Sequence, residues 1–320
     1  MRVFVTGASG FIGRAVVREL VQGGHDVTGL ARTARSAQAL ERLGAKPVPG
    51  SLQDPQSLRR GAIGADGVIH LAFIHGPGDI PLLPRLRLLL GGAPGGIVSR
   101  FGAAIMQADR RAIDALGGAL EGSGRPLVTT FGTMGMAAGR IAVEDDRPDP
   151  RAPGFVRSRT EDVVRGWADR GVRAAVIRLS PIVHGDGDKG MIRRLIAAAR
   201  KQNGSAYVGE GANRWPGVHR QDAAVLFRLA LERGEAGASY HGVAEEGVPF
   251  RQIAEVIGRR LNLPALSIAP AEAAARFSWL APFVTHDNPA SNRLTQERLG
   301  WHPGGPGLIA DIDRAEYFGT

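Results

Sequence analysis

The chain has 320 residues, of which 43% are hydrophobic and 22% are charged. This composition is typical of globular proteins and excludes disordered and collagen-like chains. The sequence contains no cysteine, which excludes disulfides, thiolate catalysis and cysteine-ligated metal centres. The formal net charge is +9, but basic and acidic residues are interspersed, so we expect no nucleic-acid partner.

Strand and helix patterns alternate in the first half of the chain. Short apolar runs predict strands, and apolar residues spaced by three or four predict helices. The predicted strands are 2–6, 26–31, 46–49, 67–72, 126–131 and 172–179, and the predicted helices are 11–22, 36–43, 103–120 and 158–169. This alternation is typical of βαβ units and indicates a parallel sheet that helices cover on both faces.

The second half of the chain is less regular, and it follows an unusual insertion. We interpret residues 76–99, which hold glycines, prolines and a leucine cluster, as an insertion that could act as a lid. Residues 264–301 are proline-rich and irregular, as in a small separate lobe. The predicted elements of this half are helices at 189–201, 220–233 and 249–261 and strands at 206–208 and 239–243.

The strongest motif is the segment TGASGFIG at residues 6–13, which follows the first predicted strand and opens the first predicted helix. Gly7 permits a tight turn, Gly10 lets the backbone approach a pyrophosphate, and Gly13 lets the helix pack against the strand. The N-terminus of the helix then offers N–H groups and a partial positive charge to phosphates. The motif therefore predicts a dinucleotide-binding site.

Several segments are similar to one known family. TGASGFIG resembles the TGxxGxxG signature of the extended short-chain dehydrogenases/reductases, the epimerase/dehydratase-like superfamily. VIHLA at 68–72, RLSPIVHG at 178–185 and WPGVHRQD at 215–222 resemble its HLA, RPxxVYG and VHxxD segments, with His184 in the tyrosine position of the second. The resemblance covers nearly the whole chain. It implies an α/β fold with a Rossmann-like, doubly wound parallel sheet and a smaller C-terminal substrate-binding lobe.

The resemblance also implies a division into domains. We expect residues 1–180 and 218–244 to form the cofactor-binding domain. Residues 181–217 and 245–320 would then form the substrate lobe.

The end of the second strand bears on which dinucleotide binds. NAD-binding proteins place an acidic residue there to hold the ribose 2′-OH. In this chain Ala31 is followed by Arg32, with Arg35 nearby, and a guanidinium suits a 2′-phosphate. We therefore predict a preference for NADP(H) over NAD(H); a surface arginine without a ligand is the alternative. Ser51 replaces the acid of the family's GDL segment, so adenine recognition could differ.

The full set of predicted cofactor residues combines the motif with the resemblance. It comprises Thr6, Gly7, Ser9, Gly10, Phe11, Ile12, Gly13, Ala31, Arg32, Arg35, Ser51, Leu52, Leu71, Ala72, Phe73, Thr129, Arg159, Pro181 and Val183.

The catalytic segment departs from the family pattern. The family uses a YxxxK pair, in which tyrosine transfers a proton and lysine lowers its pKa and holds the nicotinamide ribose. No YxxxK occurs anywhere in this sequence. At the corresponding place Phe155 holds the tyrosine position and Arg159 the lysine position, although Arg157 could take the role of Arg159. Phenylalanine cannot carry a proton, whereas arginine can still hold the ribose.

Other polar residues could replace the missing pair. Thr130 and Thr133 lie where the family places its Ser or Thr, and either hydroxyl could bind a substrate carbonyl; a purely structural threonine is the alternative. His184 could transfer a proton. The predicted substrate contacts are His75, Met134, Met191, Tyr207 and Trp215. No metal site is predicted, since HExxH and a complete calcium loop are absent.

The preferred interpretation is an NADPH-dependent oxidoreductase that reduces a carbonyl or enone of a small to medium, largely apolar molecule. One alternative is an NADP(H)-binding sensor or scaffold without catalysis. Another is an isomerase or cyclase that keeps the cofactor as structure. We expect a small-molecule substrate, no membrane partner and a cytoplasmic location, since signal-peptide and transmembrane patterns are absent. A homodimer stays open.

Overall fold

The computed structural model describes residues 1–74 and 97–319. Most of the predicted insertion therefore lies outside the described residues. The strands are β1 Arg2–Thr6, β2 Asp26–Ala31, β3 Lys46–Pro49, β4 Gly67–His70, β5 Pro126–Gly132, β6 Arg173–Leu179, β7 Ile182–His184, β8 Ser205–Val208, β9 Arg214–His219, β10 Ser239–Gly242, β11 Glu245–Pro249 and β12 Ala265–Ile268. The helices of the first half are α1 Phe11–Gln22, α2 Ala34–Glu41, α3 Pro55–Ile63, α4 Ile97–Leu120, α5 Phe155–Ser158 and α6 Glu161–Ala168. Those of the second half are α7 Met191–Gln202, α8 Arg220–Arg233, α9 Phe250–Leu261, α10 Ala273–Phe277, α11 Ala281–Val284, α12 Arg293–Leu299 and α13 Leu308–Ile312.

Seven strands form one parallel sheet in the order β10-β6-β5-β4-β1-β2-β3. The order reverses beside β1, because β2 and β3 lie on one side of it and β4, β5 and β6 on the other. Ligands of doubly wound folds bind beyond the carboxyl ends of the strands at such a reversal. The predicted Rossmann-like α/β fold is thus confirmed, and the end of β1 is the place to look for a site.

The chain divides into two compact units. The first comprises Met1–Thr129 and Thr160–Ala175, and the second comprises Thr130–Arg159 and Val176–Thr320. These limits differ from the domains expected from the family resemblance. The expected division into a cofactor-binding domain and a substrate lobe stays a prediction.

The first unit packs around the buried strand β1. Val3, Phe4 and Val5 are fully buried, as the apolar run of a central parallel strand requires. α3, which periodicity did not predict, passes so close to this strand that a Cβ at Gly61 would lie 2.3 Å from the Phe4 ring. Close approach of backbone and ring therefore explains the glycine inside this helix.

The second unit has its own hydrophobic core and two further small sheets. Trp215 and Phe250 meet edge to face with ring centroids 5.0 Å apart, and Phe277 packs on Phe250 in the same way. One sheet has the order β11-β9-β7, with β9 antiparallel to β11 and parallel to β7, and the other pairs β12 with β8 in parallel. Within the described parts of the chain, no helix has the length and apolarity needed to cross a bilayer.

Candidate functional site

A tight glycine turn joins β1 to α1. Gly7 has a φ of +69°, and a Cβ there would lie 2.7 Å from the backbone nitrogen of Ala72. The amide of Gly10 donates to the carbonyl oxygen of Gly7 at 2.9 Å, which closes the turn. A Cβ at Gly13 would lie only 2.1 Å from that same carbonyl oxygen. The turn therefore admits no side chain at Gly7 or Gly13, as the motif predicts.

The N-terminus of α1 is open to a ligand. Gly10 is the N-cap residue, and no side chain from that position accepts a hydrogen bond from the first turn. The first turn of the helix carries no acidic residue either. The N–H groups of the first turn and the positive end of the helix dipole suit an anion such as a pyrophosphate.

The segment at the end of β4, which borders the site, is hydrogen-bonded to the glycine turn through Thr6. Thr6 Oγ1 accepts a hydrogen bond from the amide of Ala72 at 3.3 Å and lies 2.8 Å from Nδ1 of His70. The Thr6 carbonyl accepts from the amide of Leu71 at 3.2 Å. The end of β4 is thus held against the end of β1, which explains why the TGxxGxxG and HLA segments occur together.

A groove of about 400 Å³ lies beyond these strand ends. Its described lining contains three arginines, Arg14, Arg32 and Arg35, and no carboxylate. A capping box between Thr33 and Ser36 fixes the turn that carries Arg32 and Arg35 into α2. The groove therefore combines a backbone cradle with positive charge, and both suit the phosphate groups of a dinucleotide.

The groove brings together about half of the predicted cofactor residues. Those that line it are Gly7, Ser9, Gly10, Arg32, Arg35, Leu52, Leu71, Ala72 and Phe73. Other predicted residues of the first unit do not line it, namely Thr6, Phe11, Ile12, Gly13, Ala31, Ser51 and Thr129. The lining residues that sequence reasoning missed are Arg14, Leu30, Thr33, Ser36, Ala39, Gln53 and Ile74.

Three predicted cofactor residues belong to the second unit instead. They are Arg159, Pro181 and Val183. Arg159 is exposed, Pro181 is half-buried just before β7, and Val183 is half-buried within β7. Their predicted contact with the cofactor stays a prediction.

The candidate threonines differ in their surroundings. Thr133 is fully buried, and its hydroxyl donates to Oδ1 of Asn288 at 2.7 Å. Thr129 is also fully buried and donates to the carbonyl oxygen of Ala175. Thr130, two residues before the end of β5, is half-buried. Of the two predicted catalytic threonines, Thr130 is thus the less buried, and its catalytic role stays a prediction.

The basic residues that follow Phe155 also differ. Arg157 is half-buried, its Nη2 donates to the carbonyl oxygen of Thr130 at 2.8 Å, and its guanidinium lies 5.7 Å from the centre of the Phe131 ring. Arg159 points to solvent. Phe155 is half-buried at the start of α5. Arg157 rather than Arg159 therefore places its charge at the end of β5.

His184 is enclosed in the second unit. It is fully buried, and its Nδ1 lies 2.8 Å from Oδ2 of Asp311, which the Tyr317 hydroxyl also approaches. Burial raises the pKa of Tyr317 above its ordinary value. This arrangement explains His184 as part of an internal polar cluster, and we do not assign it a catalytic role.

The predicted substrate contacts fall mostly in a core. Met134, Tyr207 and Trp215 are buried members of the hydrophobic core of the second unit, and the half-buried Met191 packs against that core. His75 lies outside the described residues. Packing accounts for the four described residues, so their contact with a substrate stays a prediction.

The reversal of strand order, the glycine turn and the helix that begins beside it define a Rossmann-type dinucleotide-binding protein. Residues 3–80 match the NAD dependent epimerase/dehydratase family. The chain belongs to this family, and the resemblance noted in the sequence is confirmed. The family binds a nicotinamide cofactor.

Similar proteins match much more of the chain than the family model does. An uncharacterized protein of Schizosaccharomyces pombe is 42% identical over 320 residues, 99% of this chain and 100% of that protein. A 2-alkyl-3-oxoalkanoate reductase of Stenotrophomonas maltophilia is 28% identical over 281 residues, 84% of this chain and 78% of that protein. A 4-hydroxy-2-methyl-3-oxo-4-farnesyl-3,4-dihydroquinoline-1-oxide ketoreductase of Stigmatella aurantiaca is 27% identical over 245 residues, 75% of this chain and 67% of that protein.

The fold is shared with solved structures as well. A dTDP-glucose 4,6-dehydratase from Streptomyces venezuelae, with NAD and TYD bound, matches with a TM-score of 0.74 and 18% identity. The match covers 99% of this chain and 97% of that chain. At this level of identity the likeness shows the fold alone.

Proposed function

We propose that this protein is an NADPH-dependent reductase that acts on a carbonyl or enone of a small to medium, largely apolar molecule. The observation that carries the proposal is the groove at the end of β1, where a backbone cradle lies among three arginines and no described carboxylate. Arginine donors satisfy a 2′-phosphate, whereas a 2′-OH would lack the acidic acceptor that NAD-binding proteins provide.

The class of substrate rests on the relatives. Two of them are named for the reduction of 3-oxo compounds, and the names include an alkyl or a farnesyl group. We extend the reduction of an apolar oxo compound to this chain on that basis.

The chemistry needs a hydride and a proton at the carbonyl. When bound, NADPH supplies the hydride. Thr130 donates a hydrogen bond to the substrate oxygen, and Arg157, which holds the Thr130 backbone, adds positive potential where negative charge develops. Phe155 cannot donate the proton that the family's tyrosine provides, so the oxygen that gains negative charge on hydride transfer takes its proton from solvent water. We therefore expect a slower reductase than one with the YxxxK pair.

Cofactor titrations by intrinsic tryptophan fluorescence test the first half of the proposal. The wild type should bind NADPH more tightly than NADH, and the double variant Arg32→Ala/Arg35→Ala should lose that preference. Arg42→Ala is the matched control, because Arg42 is exposed at the other end of α2 and does not line the groove. Tighter binding of NADH by the wild type would contradict the NADP(H) assignment.

An NADPH-oxidation screen over apolar 3-oxo esters, ketones, enones and quinones tests the second half. Oxidation with any of these compounds supports a reductase. Tight NADPH binding with no oxidation across the panel would favour the alternative, a protein that binds the cofactor as a sensor or scaffold. Turnover of a compound without net NADPH oxidation would favour an isomerase or cyclase.

A further inference from the structure

We infer that Arg14 is a further determinant of cofactor specificity, forming with Arg32 and Arg35 a clamp for the 2′-phosphate. The inference rests on the proposed NADP(H) function and adds a residue from a different element. Arg14 belongs to α1, whereas the other two arginines follow β2. All three line the same groove.

The helix places Arg14 directly behind the glycine turn. Its amide donates to the carbonyl oxygen of Gly10 at 3.0 Å, so the two residues are one helical turn apart on the same face. The side chain is exposed and folds back along that turn, because Nε donates to the carbonyl oxygen of Ser9 at 2.9 Å.

This contact gives the guanidinium a fixed orientation. Nε–H is one of the five donors of the guanidinium, and the Ser9 carbonyl accepts it. The two terminal amino groups carry the remaining donors, in the fork that matches the oxygens of a phosphate. An arginine already held in place loses less conformational entropy when it binds a ligand.

The charge of the ligand argues for more than one cation. A phosphate monoester carries about −1.5 to −2 at neutral pH, whereas each phosphate of the pyrophosphate carries about one negative charge. Backbone N–H groups at the start of α1 already suit the pyrophosphate. The arginine cluster, with no described carboxylate among the groove residues, matches the additional phosphate that distinguishes NADP(H) from NAD(H).

The test compares Arg14→Ala with Arg18→Ala, using NADP⁺, NAD⁺, 2′,5′-ADP and 5′-ADP as titrants. Arg18 is exposed one turn further along α1 and does not line the groove, so Arg18→Ala controls for charge and helix propensity. We expect Arg14→Ala to weaken NADP⁺ and 2′,5′-ADP by roughly tenfold or more, as for a charge-assisted hydrogen bond, with NAD⁺ and 5′-ADP little changed. Arg14→Lys should restore only part of the affinity, because lysine lacks the fork.

The outcomes separate this inference from the function beneath it. Equal weakening of all four titrants would overturn it, because Arg14 would then bind the pyrophosphate. No effect of Arg14→Ala, with a clear effect of Arg32→Ala, would overturn it and leave the proposed function standing. A wild type that binds NADP⁺ no better than NAD⁺ would overturn the proposed function itself.

Discussion

The side chain of Thr6 lies 2.8 Å from Nδ1 of His70, and both residues are buried at the ends of adjacent strands. The two residues are also directly opposite in the register of β1 and β4. Thr6 Oγ1 also accepts a hydrogen bond from the Ala72 amide, and on the other side of the His70 ring Nε2 lies 3.7 Å from Oδ1 of Asp109. The Thr6 hydroxyl thus holds the end of β4, which borders the groove, against the glycine turn.

Thr6→Val should weaken both the fold and the cofactor site. The substitution keeps the shape but leaves the Ala72 amide and His70 Nδ1 without this partner, which we expect to lower the free energy of unfolding by about 1–3 kcal/mol. Ala72 lines the groove, so NADPH affinity should fall as well. Urea unfolding and a cofactor titration measure the two effects. Thr28→Val is the control, since the Thr28 hydroxyl makes only a 3.4 Å bond, and equal effects of both variants would contradict this account.

Valine substitution should lower mainly the stability at Thr133 and mainly the kcat at Thr130. Thr133→Val removes the donor to Asn288 Oδ1 in a fully buried site, so we expect a loss of about 1–3 kcal/mol of unfolding free energy. Thr130→Val should cost less stability, because Thr130 is only half-buried, and should lower kcat for NADPH-dependent reduction. Unfolding curves and steady-state rates of both variants test this. A Thr133→Val enzyme that is fully stable but inactive would reverse the two roles.

Most of the first half of the fold could be predicted from sequence because most elements there have their own periodic pattern, with α3 as an exception. β1 and α1 have the predicted bounds, since a buried central strand needs an apolar run and its crossover helix needs one apolar face. β9 and β11 were missed in the second half. Their sequences, RWPGVH and EEGVP, contain proline and glycine, and pairing with each other rather than intrinsic preference makes them strands.

The residues of the candidate site also differ in whether the sequence alone could predict their roles. The glycine turn was predictable because the spacing of its glycines along the sequence is sufficient to indicate the turn and the start of the helix. The structural role of Thr133 was not, because its partner Asn288 is 155 residues away in the chain, and the partner of His184 is 127 residues away. Arg14 offered a usable signal, since a residue four positions after Gly10 lies on the same face of the helix.

Arg157 and Arg159 give a direct comparison at the position where the family has its lysine. Arg157→Ala should lower kcat/KM for NADPH-dependent reduction by roughly tenfold or more, because it removes a cation bonded at the end of β5. Arg159→Ala should change it little, since the side chain bonded to β5 is that of Arg157. Kinetics of both variants and of Arg157→Lys test the assignment. A larger loss in Arg159→Ala would return the ribose-binding role to Arg159.

Asp188 should make stability depend on pH. Burial raises the pKa of Asp188 to about 6, despite the hydrogen bond that its Oδ1 accepts from the Gly190 amide and the nearby charge of Arg193. A carboxyl whose pKa is higher in the folded protein than its ordinary 3.8 disfavours folding when ionised, so the destabilisation is complete above about pH 6 and absent below about pH 4.

Asp188→Asn keeps an acceptor for Gly190 without the charge. Its gain in unfolding free energy over the wild type should therefore be larger at about pH 7.5 than at about pH 4, by up to roughly 3 kcal/mol. Urea unfolding at both pH values measures the difference, with Asp169→Asn, at an exposed helix end, as the control. If Asp188→Asn and Asp169→Asn show the same change between the two pH values, the buried carboxylate does not carry this cost.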